Sequence, residues 1–414
     1  MKKISIIIIF FVSCVFYGFQ LNATTLIVGK NQPYTSIKTA LQHCKKGDTI
    51  LVEKGLYKEQ GIVIDKPVVL KGIEQPVLDG EHQYQIIFIK ADNVTIDGFK
   101  LQHSGRSDVD DIAAIKTLHV NNIVISSNII EDSYWGILMQ YSNNCSIINN
   151  YLKAYGDDAS SGNGIHCWKC DSMRIINNYV TGHRDGIYFE FVTNSLIQKN
   201  ISENNLRYGL HFMFSHNDDY VSNVFKRNGS GVSVMFTHGV KMIDNSFIEN
   251  WGDGAYGILL KEISDSYIYH NRFIRNTTGI HAEGTNRVKI EKNIFDNNGW
   301  AIRIQASCNA NVITHNNFQN NTFDIATNGT LVLNTFDHNY WDKYEGYDLN
   351  KDHVGDVPYR PVSLFSMITE TNPSAMMLFR SFMVTLFDKT EKVIPGITPE
   401  NLKDNFPLMK PLQL

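Results

Sequence analysis

Short apolar runs, separated by polar punctuation, recur every twenty-odd residues along most of this chain. In their clearest form, a small residue opens a strand-like alternation. Gly136, Gly164, Gly186, Gly209, Gly231, Gly257, Gly279 and Ala301 each begin such a run. The first and third residues after each are apolar, from Ile137 and Met139 through Leu210 and Phe212 to Ile302 and Ile304. Side chains alternate faces along a strand, so these positions point inward. A second repeat runs beside the first. Asn128, Asn149, Asn177, Asn200, Asn223, Asn245, Asn271, Asn293, Asn316 and Asn334 follow one another at gaps of 18 to 28 residues, mostly near 22–23. Eight of the ten begin Asn-x-Phe or Asn-x-Tyr. Such a period leaves no room for a helix in each repeat and predicts a coil of short strands, one turn per repeat. The expected fold class is all-β: a right-handed parallel β-helix of about 22–23 residues per rung. The asparagines should form an internal ladder, amide over amide, with the aromatic residue two places on filling the core. Equivalent residues of successive turns then stack about 4.8 Å apart, so the outer surface reads as columns.

The ends depart from this pattern. Residues 1–23 read as a secretory signal: Lys2 and Lys3, an apolar run over 4–19, then Leu-Asn-Ala. The run is short for a membrane span of about 20 residues. A lipoprotein start at Cys14 would leave the apolar 15–19 stretch at the mature terminus. The mature chain is therefore expected outside the cytoplasm, in the periplasm of a two-membrane cell. Residues 24–85 read as an N-terminal cap and first rungs, with Ile37, Ala40 and Leu41 on one side of a capping helix. The β-helix is expected over 86–341, and a loop, amphipathic helix and tail over 342–414. Met377, Phe379, Phe382, Met383, Leu386 and Phe387 give the stretch 374–393 a broad apolar side. That side would either cover the last open rung or dock on a membrane partner.

Composition narrows the function. A net charge of −4 over 414 residues argues against a nucleic-acid partner held by a basic face. Five cysteines outlast the signal, Cys44, Cys145, Cys167, Cys170 and Cys308, too few and too scattered for a disulfide framework. Cys167 and Cys170 form a CxxC without a partner pair at zinc-finger spacing, and Cys167 falls on an inward position, so a structural or disulfide role is expected for them. Asp348, Asn350, Asp352 and Asp356 alternate like a calcium loop. His353 and Tyr359 stand where the EF-hand pattern requires Gly and Glu, so a turn held by side-chain hydrogen bonds is the competing reading.

The outward positions carry the chemistry. The second and fourth residues after each glycine read Leu138/Gln140, His166/Trp168, Tyr188/Glu190, His211/Met213, Ser233/Met235, Leu259/Lys261, His281/Glu283 and Arg303/Gln305. A solvated sheet would carry Thr, Ser, Asn and Lys instead. Met213 and Met235 hold the same place on adjacent rungs, and His211 lies two residues before Met213 on the same face. Two thioethers and an imidazole suit a soft monovalent ion, Cu(I). The same pair of methionines would also make an apolar binding patch. His166, Tyr188, Glu190, Lys261, His281 and Glu283 flank them, and His238 lies just past the strand end with Phe214, His216 and Phe236. A solenoid bearing Lys261 and Arg303 could also cleave or epimerise acidic sugars, with His281 assisting. The residues alone leave copper handling, a carbohydrate enzyme and a binding module open.

Several stretches resemble the NosD family of periplasmic β-helix proteins from the nitrous oxide reductase maturation system. They are RYGLHFMFS (207–215), YGILLKEISD (256–265), TTGIHAEG (277–284), NNGWAIRIQASC (297–308), NTFDIATNG (321–329) and NYWDKYEGYDLNKDHVGDVPYRPVSLFS (339–366). The resemblance implies a non-enzymatic role beside an ABC transporter made of permease and ATPase subunits. There the protein would take Cu(I) transiently from a copper lipoprotein chaperone and help load the copper centre of nitrous oxide reductase. It assigns copper to His211 and Met213; rung geometry adds Met235.

Overall fold

The computed structural model describes residues 23–107, 110–155, 162–329, 333–393, 398–399 and 402–414. The expected signal segment, apart from residue 23, lies outside the described residues. Three parallel sheets of 14, 12 and 13 strands run along the molecule, and each full turn supplies one strand to each, forming a right-handed parallel β-helix. Many strands are only three residues long, with the middle side chain buried and its neighbours half-exposed. Corners between them are turned by left-handed residues such as Asn149 (φ 57°), Asn177 (φ 54°) and His103 (φ 55°). Asn, Asp and His tolerate that conformation better than other side chains.

The asparagine ladder exists, in a corrected register. It runs Asn128, Asn150, Asn178, Asn200, Asn223, Asn245, Asn271, Asn293, Asn316, Asn339. Each donates from its backbone N–H and its Nδ2 to the Oδ1 of the next, at 2.8–3.1 Å. Asn149 and Asn177 are the left-handed corner residues, and the second asparagine of each pair turns inward. Tyr151 and Tyr179 therefore stack half-exposed at 5.2 Å rather than filling the core. Asn334 belongs to another run, accepting from the Asn311 amide at 3.1 Å. A further ladder, Asn205, Asn228, Asn250, Asn276, Asn298 and Asn321, lines a second corner. Between the ladders Phe225, Phe247, Phe273, Phe295, Phe318 and Trp341 stack with centroids 4.2–5.6 Å apart.

Both ends are covered. Helix Ile37–His43, N-capped by Ser36, buries Ile37, Ala40 and Leu41 over the first turns. At the other end Asp404 stands in for the next asparagine. It accepts from the Asn339 N–H (2.9 Å) and Nδ2 (3.1 Å) and from Trp341 Nε1 (3.0 Å). Helix Leu364–Thr371 buries Phe365 against Phe323 at 6.0 Å. The single helix expected over 374–393 is divided into a 3-10 segment Pro373–Leu378 and helix Phe382–Val393, with Arg380 left-handed at φ 65° between them. Met377, Leu378, Phe382, Met383 and Leu386 stay exposed there, while Phe379 reaches Phe323 at 6.1 Å, so this stretch covers the last rung only in part.

Candidate metal centre

The outward positions fall in the expected register. On the 12-stranded sheet one row pairs Leu138, His166, Tyr188, His211, Ser233, Leu259, His281 and Arg303 in succession. A second row pairs Gln140, Trp168, Glu190, Met213, Met235, Lys261 and Glu283. The two rows differ in exposure. The second row is half-exposed throughout, Met213 and Met235 included. In the first, Leu138, His166, His211, Ser233 and Leu259 are buried, against expectation. Aromatic residues ahead of each glycine account for part of this: Trp135 lies 4.8 Å from His166, and Tyr208 4.9 Å from His211.

His211 is the most constrained member. It stacks on Tyr188 at 4.6 Å, and its Nδ1 lies 3.4 Å from Asp185 Oδ2. Asp185 is fully buried and gripped by the guanidinium of Arg207, whose Nε donates to Oδ1 at 2.8 Å. Burial pushes the Asp185 carboxyl up, but the hydrogen bonds from Arg207 and His211 outweigh it and hold it below the usual carboxylate range. An ionised carboxylate accepts the Nδ1 proton and leaves the lone pair on Nε2. That Nε2 is buried with no hydrogen-bond partner. Arg207 Nη2 also lies 3.4 Å from Nδ1 and is itself hydrogen-bonded to Asp185 Oδ2. Sequence reasoning missed Asp185 and Arg207; the only signal was their position one and two residues ahead of Gly186 and Gly209, in adjacent repeats.

Other polar atoms along the first row are also unpaired. His166 Nε2 and Ser233 Oγ are buried without partners, as is Asn163 Oδ1 just ahead of Gly164. His166 lies between Trp135 and Tyr188, and burial lowers its pKa to about 3, so it stays neutral. Beside it, the Tyr188 hydroxyl donates to Met213 Sδ at 3.8 Å. Burial raises the Tyr188 pKa, with Glu190 adding to the effect, so the phenol keeps its proton. Unpaired buried polar atoms are rare and point to a missing ligand or water. A soft cation would find two thioethers and an imidazole lone pair on adjacent turns, a donor set that fits Cu(I).

The sequence model of the NosD family, described as periplasmic copper-binding protein, matches residues 153–347, a span containing both methionines and His211. Two relatives carry the name probable ABC transporter binding protein NosD. The Stutzerimonas stutzeri protein is 26% identical over 409 residues, covering 86% of this chain and 85% of its own length. The Pseudomonas aeruginosa protein is 27% identical over 370 residues, covering 84% and 85%. The chain is similar to NosD-type proteins over most of its length. Among solved structures, the A-module of the Azotobacter vinelandii mannuronan C-5 epimerase AlgE6 superposes with a TM-score of 0.59. It is 13% identical and covers 72% of this chain and 92% of the module. A Streptomyces thermodiastaticus GH87 α-1,3-glucanase reaches 0.58 at 10% identity, covering 78% and 70%. These two share the solenoid fold with this chain and nothing finer.

The remaining candidates are dispersed. Lys261 pairs with Glu283 at 3.8 Å, and Arg303 is clamped by Glu370 at 2.7 and 2.9 Å. Both bases that a sugar lyase would need are therefore engaged by carboxylates. His281 is half-buried beside Gln305, its Nε2 3.5 Å from the amide. His238 lies beyond the left-handed Phe236 and stacks on His216 at 4.2 Å, at a corner rather than in the methionine row. In the 348–356 loop, Asp348 accepts from the amides of Lys351, Asp352 and His353. Asp352 accepts from Val354 and Asp356 from Leu349, while Asn350 Oδ1 accepts from the Asp352 amide. The loop is thus a turn held by its own side-chain hydrogen bonds. Cys167 and Cys170 are buried free thiols, as is Cys145.

Proposed function

We propose that this chain is a periplasmic Cu(I) relay associated with an ABC transporter, its cargo held in passing by Met213, Met235 and His211. One observation carries the reading: two thioethers stand in register on adjacent turns, beside an imidazole whose Nε2 is buried and unpartnered. Three soft donors leave the ion undercoordinated, so an incoming partner supplies the next ligand and exchange needs no unfolding. Asp185 and Arg207 keep the lone pair on Nε2 before the ion arrives. The donor is a copper lipoprotein chaperone and the acceptor nitrous oxide reductase, as the family likeness implies. The exposed apolar residues of Pro373–Leu378 and Phe382–Val393 supply a docking face for the permease. Among the described residues no helix is long and apolar enough to cross a membrane, so attachment is peripheral in this reading.

An anaerobic competition titration with a chromophoric Cu(I) chelator tests the site. The expected result is one Cu(I) per chain, weakened at least ~100-fold in Met213→Ala/Met235→Ala with unchanged circular dichroism. Undiminished stoichiometry and affinity in that variant would refute the assignment. Replacing Phe382, Met383 and Leu386 by Ser tests the docking face, through loss of co-purification with the permease. Truncation would not serve, because it removes Asp404 and opens the asparagine ladder.

A further inference from the structure

A second cluster of ligand-type side chains lies outside the copper column, at the corner that follows strands Val77–Asp79, Lys100–Gln102 and Ile129–Glu131. Those strands pair in register, Asp79 with Gln102 with Glu131. His82, His103 and Asp132 therefore stand on three successive turns, each left-handed, at φ 57°, 55° and 46°. The His82 amide donates to the His103 carbonyl at 2.9 Å, and the imidazole centroids are 4.5 Å apart. Both rings aim at one oxygen. His82 Nε2 is 3.8 Å and His103 Nε2 4.0 Å from Asp132 Oδ2, and all three donor atoms lie within 4.8 Å of one another.

The surroundings are arranged as those of a ligand set. His103 Nδ1 meets both oxygens of Asp79, at 3.1 and 3.2 Å. Asp79 is itself held by Gln102 Nε2 (3.0 Å) and the Glu81 amide (2.9 Å). Such a carboxylate takes the Nδ1 proton and turns the Nε2 lone pair toward the cluster, the arrangement that supports histidine ligands in metal sites. Arg106 Nη2 binds the other oxygen of Asp132, Oδ1, at 3.1 Å and leaves Oδ2 open.

The geometry points to a binding site for a borderline divalent cation, of the Zn2+ class, formed by His82, His103 and Asp132. Two imidazoles and a carboxylate suit such an ion. With no sulfur donor they are a poor set for Cu(I), and with only one carboxylate a poor one for Ca2+. Bonds of about 2.0–2.2 Å in tetrahedral geometry bring donors to roughly 3.4 Å separation. Rotation of the exposed His82 and half-buried Asp132 side chains closes the difference. Water fills the fourth position on the open side. The placement also has a structural use. The asparagine ladder begins at Asn128, whose Oδ1 accepts from the Phe99 amide at 3.0 Å, so the cross-link reaches back to the turn of Phe99 and no further. A cation at this corner joins the turn of Asn128 and Asp132 to the two turns before it. The proposal stands apart from the Cu(I) reading, since it uses another corner and other chemistry.

The test is a Zn2+ competition titration of the full mature chain at pH 7.5, paired with hydrogen exchange. One Zn2+ is expected per chain. His82→Ala and His103→Ala each weaken it at least ~100-fold, and Asp79→Asn, which touches no ion, weakens it ~10–100-fold. Met213→Ala/Met235→Ala leaves it unchanged. Zn2+ should raise amide protection in the first four turns of wild type and not in His82→Ala, whose exposed side chain makes it the variant least prone to misfold. Zn2+ affinity that survives His82→Ala/His103→Ala is adventitious binding at other histidines and overturns the proposal. So does an Asp79→Asn affinity equal to wild type.

Discussion

The asparagine ladders and the histidine–methionine column are built by the same device and end in opposite states. Both repeat one side-chain position at the spacing of adjacent strands. In the main ladder every internal Oδ1 accepts two hydrogen bonds and every Nδ2 donates, so the buried amides are satisfied from Asn128 to Asp404. In the column, His166 Nε2, His211 Nε2 and Ser233 Oγ are buried and unpaired. A stack of identical groups closes on itself because amides carry donors and acceptors in matched positions. A stack of mixed His, Tyr, Ser and Met cannot close. Its unmatched valences are kept at a cost in stability, and they are what a ligand can use. Unpaired buried atoms also occur outside the column, at His183, Asp218, Tyr220 and Asp324, so what sets the column apart is that its unpaired imidazole stands beside two half-exposed thioethers.

The comparison can be broken at several points. The largest effect is expected inside the ladder. Asn245→Ala strands the Asn223 amide and Nδ2 and the Tyr220 carbonyl, which now bond to it at 2.9 Å. Urea unfolding should show a loss of roughly 3–6 kcal/mol, with Cu(I) affinity retained wherever the variant folds. A milder loss would mean water replaces the amide and the ladder is less cooperative than its geometry suggests. The reverse pattern is expected at Asp185. Asp185→Asn removes the charge that selects the His211 tautomer and should weaken Cu(I) about 10–100-fold by chelator competition, while the weakened pairing with Arg207 lowers the melting temperature less than Asn245→Ala does. Equal affinity in the variant would reduce Asp185 to a structural partner of Arg207. The smallest effect concerns His166, whose pKa burial lowers to about 3. The unfolded chain takes a proton near pH 6.5 while the folded one does not, so stability falls as pH drops from 6.5 toward 3. His166→Gln removes that contribution. Relative to wild type the variant should gain just under ~1 kcal/mol between pH 7.5 and pH 6, read from urea midpoints. An identical acid slope in both proteins would mean the imidazole is protonated in the fold.

Local pattern carried the fold and the register of the candidate site residues. Glycine-led alternation located the inward residues, and equal distance from Gly209 and Gly231 was enough to put Met213 beside Met235. It failed where two neighbours compete for one role. In Asn149–Asn150 and Asn177–Asn178 the composition is symmetric, and only the corner geometry assigns one residue to the left-handed turn and the other to the interior. It failed again at the end of the chain. The 374–393 stretch has helical apolar spacing, yet the backbone breaks at Arg380 and leaves Phe382 and Met377 exposed.

The sequence by itself determined the repeat, the inward core and the two-thioether register, because each depends on a period that stays within one strand and its neighbour. Only the tertiary structure decided which polar groups are left unpaired. Asp185 meets His211 across 26 residues, Asp404 closes the ladder on Asn339 across 65, and Asp79, His103 and Asp132 gather from three turns. Such contacts depend on how the turns stack and bend at their corners, and no local spacing in the chain encodes that.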